Sequence, residues 1–341
     1  LVYTFMGGFK AVCTTDLIQG LMMIVAILTV PVLAYAILTF DTSFSSALAA
    51  KGVEQPAQFL NFFVNGDGTP VNASWQDIVS GLGWGLGYFG MPHILVRFMA
   101  VKSNEEIKKS RKIAVVWVII SLTASCLIGL IARGYLTAQL DDATSESVFI
   151  RTIQQLFSGN GVLIFIGGIF LCGILAAIMS TADSQLLVTA SAVSEDLYKG
   201  AVKKNASEKS SLLVGKIAVA VVAVIAFFIA LNPKSSIMGL VSDAWAGFGS
   251  AFGPVVLLAL FWKRSTLSGA ISGMATGALT VIIWDYIPLV NGQTLYAATN
   301  LYSLVVGFGL ALIVNVIVSL LSKKPSKEIM DEFDSIKNIE V

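Results

Sequence analysis

The chain consists of long runs of apolar residues that are separated by short polar or basic segments. A membrane-spanning helix needs about 20 mostly apolar residues, and Lys/Arg clusters and Gly, Pro and Asn turns limit each run. Eight runs of suitable length result, at approximately 11–40, 77–99, 113–137, 160–190, 212–231, 238–262, 267–288 and 300–322. The pattern therefore predicts an all-α membrane protein with about eight transmembrane helices.

Basic residues are distributed unevenly between the two sides of these spans. Loops that stay in the cytoplasm carry the excess of Lys and Arg in membrane proteins. Eighteen of the 22 basic residues fall on one side, and the other side has only Lys51, Arg133, Arg151 and Lys234. We therefore expect the first span to run from inside to outside. The loop 41–76 is then the largest external segment, and the polar tail 323–341 is cytoplasmic.

Composition agrees with a membrane protein and excludes several other classes. Hydrophobic residues make up 56% of the chain and charged residues 13%, and the mean hydropathy is +0.81, which argues against a water-soluble protein. The net charge of +1 gives no reason to expect a nucleic-acid partner. Because no nucleophile-base pair or pair of catalytic acids converges in the spans, we do not expect an enzyme.

The cysteines and the histidine do not predict a metal centre or a disulfide framework. Cys13, Cys126 and Cys172 are odd in number and each lies in an apolar run. We therefore expect them to be small buried hydrophobic residues. His93 is the only histidine, so a His-rich metal site or a Ser-His-Asp hydrolase would depend on one ring.

Oxygen-bearing side chains cluster in the fourth span. Residues at i, i+3 and i+4 share a helix face, which gives two overlapping groups: Ala177, Ser180 and Thr181, and then Ser180, Asp183 and Ser184. Hydroxyl, carboxylate and carbonyl oxygens suit a hard cation such as Na⁺. Two alternatives stay open at this point. The hydroxyls could bond back to carbonyls one turn earlier, and Asp183 and the span-one residue Asp16 could simply be hydrated near the cytoplasmic interface.

The second span begins with an unusual concentration of glycine. Five glycines lie between positions 81 and 90 and are followed by Pro92, a composition that disfavours a continuous helix. We expect an unwound segment, which at membrane depth lines a cavity and marks the substrate site in inverted-repeat transporters. Close helix packing through the glycines is the alternative. Asp243 and Asp285, near the outer ends of spans six and seven, are expected to be solvated acids.

Five segments of the chain resemble the sodium/solute symporter family, and most of all its proline carriers. The similarity covers essentially all 341 residues. The segments are 7–19 (GGFKAVCTTDLIQ), 83–98 (GWGLGYFGMPHILVRF), 174–188 (ILAAIMSTADSQLLV), 194–199 (SEDLYK) and 245–249 (WAGFG). The second and third are specific, whereas the first is shared more widely across the family.

The resemblance implies an inverted-repeat (5+5 helix, LeuT-like) transporter core inside a thirteen-helix protein. This chain would begin just before the sixth helix and form one transmembrane domain that is N-terminally incomplete. Residues 1–262 would then hold the last helix of the first repeat and the whole second repeat, 263–322 the peripheral helices and 323–341 the cytoplasmic tail. The missing helices would include the broken helix that completes the sodium and substrate sites.

The resemblance also implies roles for individual residues. The sodium ligands would be the carbonyl of Ala177 and the hydroxyls of Ser180 and Thr181. A second sodium, held together with Ser180, would involve Asp16, Asp183 and Ser184, although Asp183 stands where the family has a hydroxyl residue. The substrate pocket would be formed by Trp84, Tyr88 and Pro92.

The expected function is sodium-coupled import of L-proline by alternating access, in a multi-pass protein of the cell membrane. Na⁺, proline and the lipid bilayer would be its partners. Pantothenate, a sugar or sialic acid are alternative solutes, and the run 84–93 favours proline over them. A non-transporting, transporter-like sensor module is a further alternative, but the tail after Lys323 has no kinase motif.

Overall fold

The computed structural model of the chain describes residues 2–61, 63–65, 69–142, 144–231 and 236–337. For residues 2–10 and 337 the description is confined to the backbone. Lys234, positions 62 and 66–68 of the predicted external loop, and the last four residues of the predicted tail lie outside the described residues.

Helices make up nearly all of the regular structure in this part of the chain. The α-helices are α1 (Val2–Asp41), α2 (Phe44–Ala50), α3 (Trp75–Gly83), α4 (Pro92–Met99), α5 (Asn104–Tyr135), α6 (Val148–Leu156), α7 (Gly161–Ser191), α8 (Glu208–Ala230), α9 (Ile237–Phe261), α10 (Leu267–Tyr286), α11 (Leu295–Thr299), α12 (Ser303–Leu321) and α13 (Lys327–Lys337). Short 3₁₀ segments occupy Pro56–Gln58, Trp84–Gly90 and Ser145–Ser147, and a π-helix follows α7 over Ala192–Val202. The strands β1 (Pro288–Val290) and β2 (Gln293–Thr294) form a small antiparallel pair.

Seven helices in the described ranges are long and apolar enough to cross a membrane. They are α1, α5, α7 with its π extension, α8, α9, α10 and α12. This confirms the all-α membrane class and seven of the eight predicted spans. The remaining predicted span, 77–99, consists of α3, a 3₁₀ segment and α4, so the expected interruption is present. The glycines and Pro92 explain the interruption, because neither favours a regular α-helix.

The ends of the spanning helices follow local capping chemistry. An N-cap side chain accepts a hydrogen bond from an amide of the first turn, which would otherwise lack a partner. Asn160 does so for α7, Ser207 for α8, Ser236 for α9 and Thr266 for α10. These polar residues therefore fix where the chain enters each helix.

Apolar side chains cover much of the outer surface of the helices. Phe40, Phe165 and Leu321, for example, are largely exposed. In a bilayer this arrangement is stable because lipid is itself apolar. The same reason corrects the expectation for the cysteines: Cys13, Cys126 and Cys172 are exposed on the helices and are not buried.

The chain divides into two compact units, and the first contains residues 1–71 and 105–232. In this unit α1 packs along α7, and Gly173 allows the close approach: a Cβ there would lie 2.8 Å from Cβ of Ala26. Val30, Ile128, Ile153 and Phe157 form a buried cluster beside this contact. The packing aligns the polar residues of α1 with those of α7.

The second unit contains residues 72–104 and 233–341. Here α10 packs against α12 and α9, and α9 packs against the 3₁₀ segment. A Cβ at Gly277 of α10 would lie 2.2 Å from the carbonyl oxygen of Ser250 on α9. Ala246, Val281, Leu304 and Phe308 form the buried cluster of this unit. Small residues therefore determine how closely these helices approach one another.

Candidate functional site

The three predicted sodium ligands lie together on α7 in the first unit. Ser180 Oγ is 3.1 Å and Thr181 Oγ1 is 3.3 Å from the carbonyl oxygen of Ala177. Both hydroxyls donate to that carbonyl, which is the back-bonding arrangement that the sequence left open. The same arrangement places both hydroxyl oxygens within hydrogen-bond distance of one carbonyl oxygen. A hard cation can use them when the hydroxyl hydrogens rotate away, because each oxygen keeps a lone pair for a ligand.

The predicted second group connects α7 with α1. Ser184 Oγ lies 3.3 Å from Asp16 Oδ2 and 2.9 Å from the carbonyl oxygen of Ser180, and either can accept its single proton. Asp183 is only 3% exposed and Ser184 only 6%. The alternative in which Asp183 is a hydrated interfacial acid is therefore wrong. The cause is its position on the helix, which directs this face into the first unit.

The degree of exposure separates the two groups of oxygens. Asp183 and Ser184 are buried, Asp16 and Ser180 are half-buried, and Thr181 is exposed. Carboxylates at membrane depth are costly and are by default candidates for an ion pathway or ion site. The first unit therefore contains a polar region that extends from the face of α7 carrying Thr181 toward α1.

In the second unit, the helix that carries the predicted substrate residues is interrupted. α3 ends at Gly83, a 3₁₀ segment follows over Trp84–Gly90, Met91 is extended, and Pro92 is the first residue of α4. Proline is favoured at a helix start because its missing N–H is not required there. The expected interruption is present, but the segment forms a 3₁₀ helix instead of irregular chain.

Close packing through glycine occurs in the same segment. A Cβ at Gly87 would lie 2.1 Å from Trp245 Nε1, and a Cβ at Gly90 would lie 2.3 Å from the carbonyl oxygen of Phe248. Both distances are far below ordinary van der Waals contact. The two interpretations of the glycines are thus compatible: they interrupt the helix, and they let it touch α9.

Aromatic rings join the predicted substrate residues to α9 and α12. Trp84 stacks on Trp245 and on Tyr302, with ring centroids 6.0 and 5.6 Å apart, and Tyr88 meets Trp245 edge-to-face at 4.9 Å. Trp245 Nε1 donates to the carbonyl oxygen of Trp84 at 3.0 Å. Such an aromatic surface suits a small apolar ring. Pro92 is half-buried at the end of the same segment.

Trp245 and Tyr302 were not predicted as site residues. Trp245 lies in the motif 245–249 and within a run of small residues, and these two features of the sequence could have indicated a role at the site. Tyr302 lies at the start of α12 without a comparable motif. Its place beside Trp84 depends on packing between distant segments.

A cavity of about 550 Å³ adjoins this aromatic cluster within the second unit. Trp84 and Tyr302 line it together with Asp243, Asp285 and Tyr286. The Tyr286 hydroxyl donates to Asp243 Oδ2 at 2.6 Å. The expectation that Asp243 and Asp285 are only solvated acids is therefore incomplete, because both contribute to a polar cavity that Trp84 shares.

Fold and sites define a multi-pass membrane protein of the helical transporter type. A family model described as the sodium:solute symporter family matches residues 1–277. The chain therefore belongs to the sodium:solute symporter family. Proteins of this family are symporters, and the resemblance found in the five sequence motifs is confirmed.

Curated relatives are similar over nearly the whole chain. A sodium/proline symporter of Haemophilus influenzae is 42% identical over 341 residues, which cover 98% of this chain and 64% of the relative. The osmoregulated proline transporter OpuE of Bacillus subtilis is 42% identical over 96% of this chain and 62% of its own length. A sodium/proline symporter of Staphylococcus aureus is 40% identical over 99% of this chain and 64% of its own length. The chain thus spans less than two thirds of these relatives.

Proposed function

We propose that this protein takes part in sodium-coupled import of L-proline by alternating access. The proposal is carried by the 40–42% identity to proteins named as proline transporters and sodium/proline symporters. Na⁺ and proline are then cargo, and the lipid bilayer is the medium in which the protein works. Pantothenate, sugar or sialic acid transport and a sensor role are not favoured by any feature of the sites.

We assign the main sodium site to the carbonyl of Ala177 and the hydroxyls of Ser180 and Thr181. The support is that both hydroxyls contact the Ala177 carbonyl oxygen within one turn of α7. The second group, Asp16, Asp183 and Ser184, is proposed to hold a second Na⁺ or to stabilise the first one. Its support is the contact between Ser184 and Asp16, which joins two helices.

We assign the proline site to the aromatic face of Trp84 and Tyr88 and to the start of α4 at Pro92. An aromatic face packs well against a pyrrolidine ring. The interrupted helix supplies polar backbone groups for the ammonium and carboxylate of the substrate. Trp245 is proposed as a positioning residue, because its indole N–H holds the carbonyl of Trp84.

The coupling follows from linkage between the two ligands. If Na⁺ stabilises the outward-open state and that state binds proline better, proline must tighten Na⁺ binding by the same factor. No covalent chemistry on the substrate is required. The excess of basic residues on one side supports an orientation with the tail 323–341 in the cytoplasm.

Proteoliposomes containing the full-length protein provide the direct test. With an inward Na⁺ gradient, labelled proline should accumulate, whereas replacement of Na⁺ by K⁺ should abolish accumulation. Unlabelled proline should compete, and pantothenate, glucose and sialic acid should not. Equal proline uptake in K⁺ would contradict sodium coupling. Competition by pantothenate, glucose or sialic acid would contradict the assignment of proline as the substrate. Proline binding without uptake would favour a sensor.

A substitution at Trp245 tests the proline site. Trp245→Phe keeps an aromatic ring but loses the hydrogen bond to Trp84, which contributes about 1 kcal/mol. We expect the proline concentration for half-maximal uptake to rise about fivefold. Trp284→Phe is the matched control, since it loses an indole hydrogen bond of 2.9 Å to the carbonyl of Leu301 in the same unit. An equal change in both variants would remove Trp245 from the site.

A further inference from the structure

A second cavity, of about 320 Å³, lies in the first unit at the end of α5. Its volume is at the lower end of the range of ligand pockets, which is about 300–1,000 Å³. Arg133 is the charged residue of its lining, and Gln139 and Ser145 are polar. The remaining wall is apolar and includes Ala132, Leu136 and Val148. The cavity is thus amphipathic, with one cationic group.

Arg133 lies in the last turn of the spanning helix α5. It precedes the last residue of α5 by two positions, which corresponds to about 3 Å along the helix axis. The side chain is half-buried and makes no hydrogen bond or ion pair with the described part of the chain. A guanidinium offers five N–H donors and retains its charge. A ligand with anionic oxygens would satisfy these donors.

The polar groups near the cavity are occupied elsewhere. The carboxylate of Asp141 accepts from the amide and the hydroxyl of Thr144, at 2.9 and 2.6 Å, and these hydrogen bonds lower the pKa of Asp141 below its usual value. Gln139 donates to the carbonyl of Lys51, and Ser145 donates to the carbonyl of Asp142. Neither Asp141 nor Gln139 therefore forms an ion pair or hydrogen bond with Arg133.

A second positive charge lies close to the same end of α5. Lys51 Nζ donates to the carbonyl oxygen of Thr137 at 3.1 Å. Thr137 is in turn held by Gln155, whose Oε1 accepts from its amide at 2.9 Å. The hydrogen bonds tie the loop after α5 to α6 and keep the cavity walls in place. Because Asp141, Asp142 and Glu146 lie in the same loop, the preference for an anion rests on Arg133, the charged residue of the cavity lining.

We propose that this cavity binds the phosphate group of a membrane phospholipid. Arginine forms paired, charge-assisted hydrogen bonds with phosphate oxygens. The apolar wall formed by Ala132, Leu136 and Val148 takes the glycerol and the first acyl carbons. This wall distinguishes a lipid from free phosphate, which would gain nothing from apolar contact. The site is independent of the proposed proline transport.

Native mass spectrometry of the purified protein, titrated with phosphatidylglycerol, tests the proposal. Loss of paired charge-assisted bonds in Arg133→Gln should weaken lipid binding at least about tenfold, the factor that 1.4 kcal/mol represents. Arg151→Gln is the matched control: Arg151 is exposed on α6 in the same unit, so the variant loses the same charge outside the cavity. Ala138→Phe should also weaken binding, because it fills the cavity and leaves its charge intact.

Two further probes separate the possible sources of binding. Inorganic phosphate should neither bind nor compete with phosphatidylglycerol at equal concentration. Dioleoylglycerol has acyl chains but no phosphate. Its affinity for the unchanged protein should be as low as the affinity of phosphatidylglycerol for Arg133→Gln. Competition by inorganic phosphate would overturn the lipid assignment, and equal binding of dioleoylglycerol would overturn the role of the phosphate. Equal affinities for Arg133→Gln and Arg151→Gln would overturn the site. If Arg133→Gln does not fold, Ala138→Phe decides: unchanged lipid affinity in that variant would overturn the site.

Discussion

Gly90→Ala is expected to destabilise the second unit by about 3 kcal/mol, the upper end of overpacking costs. The new Cβ would lie 2.3 Å from the carbonyl oxygen of Phe248 and 2.8 Å from Cα of Gly249. Both are backbone atoms of α9, so no side-chain rotation can relieve the clash. The 3₁₀ segment must move away from α9, which also separates Trp84 and Tyr88 from Trp245. Thermal unfolding in detergent and proline uptake would record both effects.

Gly85→Ala is the matched control for this prediction. Gly85 lies in the same 3₁₀ segment, and a Cβ there would have no neighbour within 4 Å. Because alanine reduces the freedom of the unfolded chain, this substitution should be neutral or stabilise by up to about 1 kcal/mol. If Gly90→Ala unfolded at the same temperature as Gly85→Ala, the close contact between the 3₁₀ segment and α9 would be wrong.

The elements that depend on local composition could be predicted from the sequence. Seven spans follow from the length of apolar runs, and the break near Pro92 follows from glycine and proline. The 3₁₀ conformation of Trp84–Gly90 could not be predicted. It depends on how closely Gly87 and Gly90 approach α9, which is a property of two segments that are far apart in the chain.

The candidate sites show the same limit. Helical spacing alone placed Ala177, Ser180 and Thr181 on one turn of α7. Spacing could not show that Asp183 is buried, because it does not determine which face of α7 meets α1. The contact of Ser184 with Asp16 joins positions 168 residues apart. Hydrophobic patterning gives little help here, since both faces of a membrane helix are apolar.

The hydroxyls on α7 are unusual in that their expected contribution to folding is small. Ser180 and Thr181 bond back to a carbonyl of their own helix. Removal of such a hydroxyl leaves the carbonyl in the helix ladder, so no buried group loses its only partner. Thr181 is also exposed. A large functional effect at these two positions would therefore report ligand binding and not a change in stability.

Ser180→Ala and Thr181→Ala are each expected to raise the Na⁺ concentration for half-maximal proline uptake at least about tenfold. Loss of one oxygen that interacts with a charged ligand costs about 1.5–3 kcal/mol, and each 1.4 kcal/mol is a factor of ten. Thr189→Ala is the matched control, because Thr189 on the same helix bonds back to the carbonyl of Gln185 at 2.8 Å. It should unfold at the same temperature as the two site variants and keep the original Na⁺ dependence. Unchanged Na⁺ dependence in both site variants would show that the ion binds elsewhere, whereas an equal shift in Thr189→Ala would show that the effect comes from α7 as a whole.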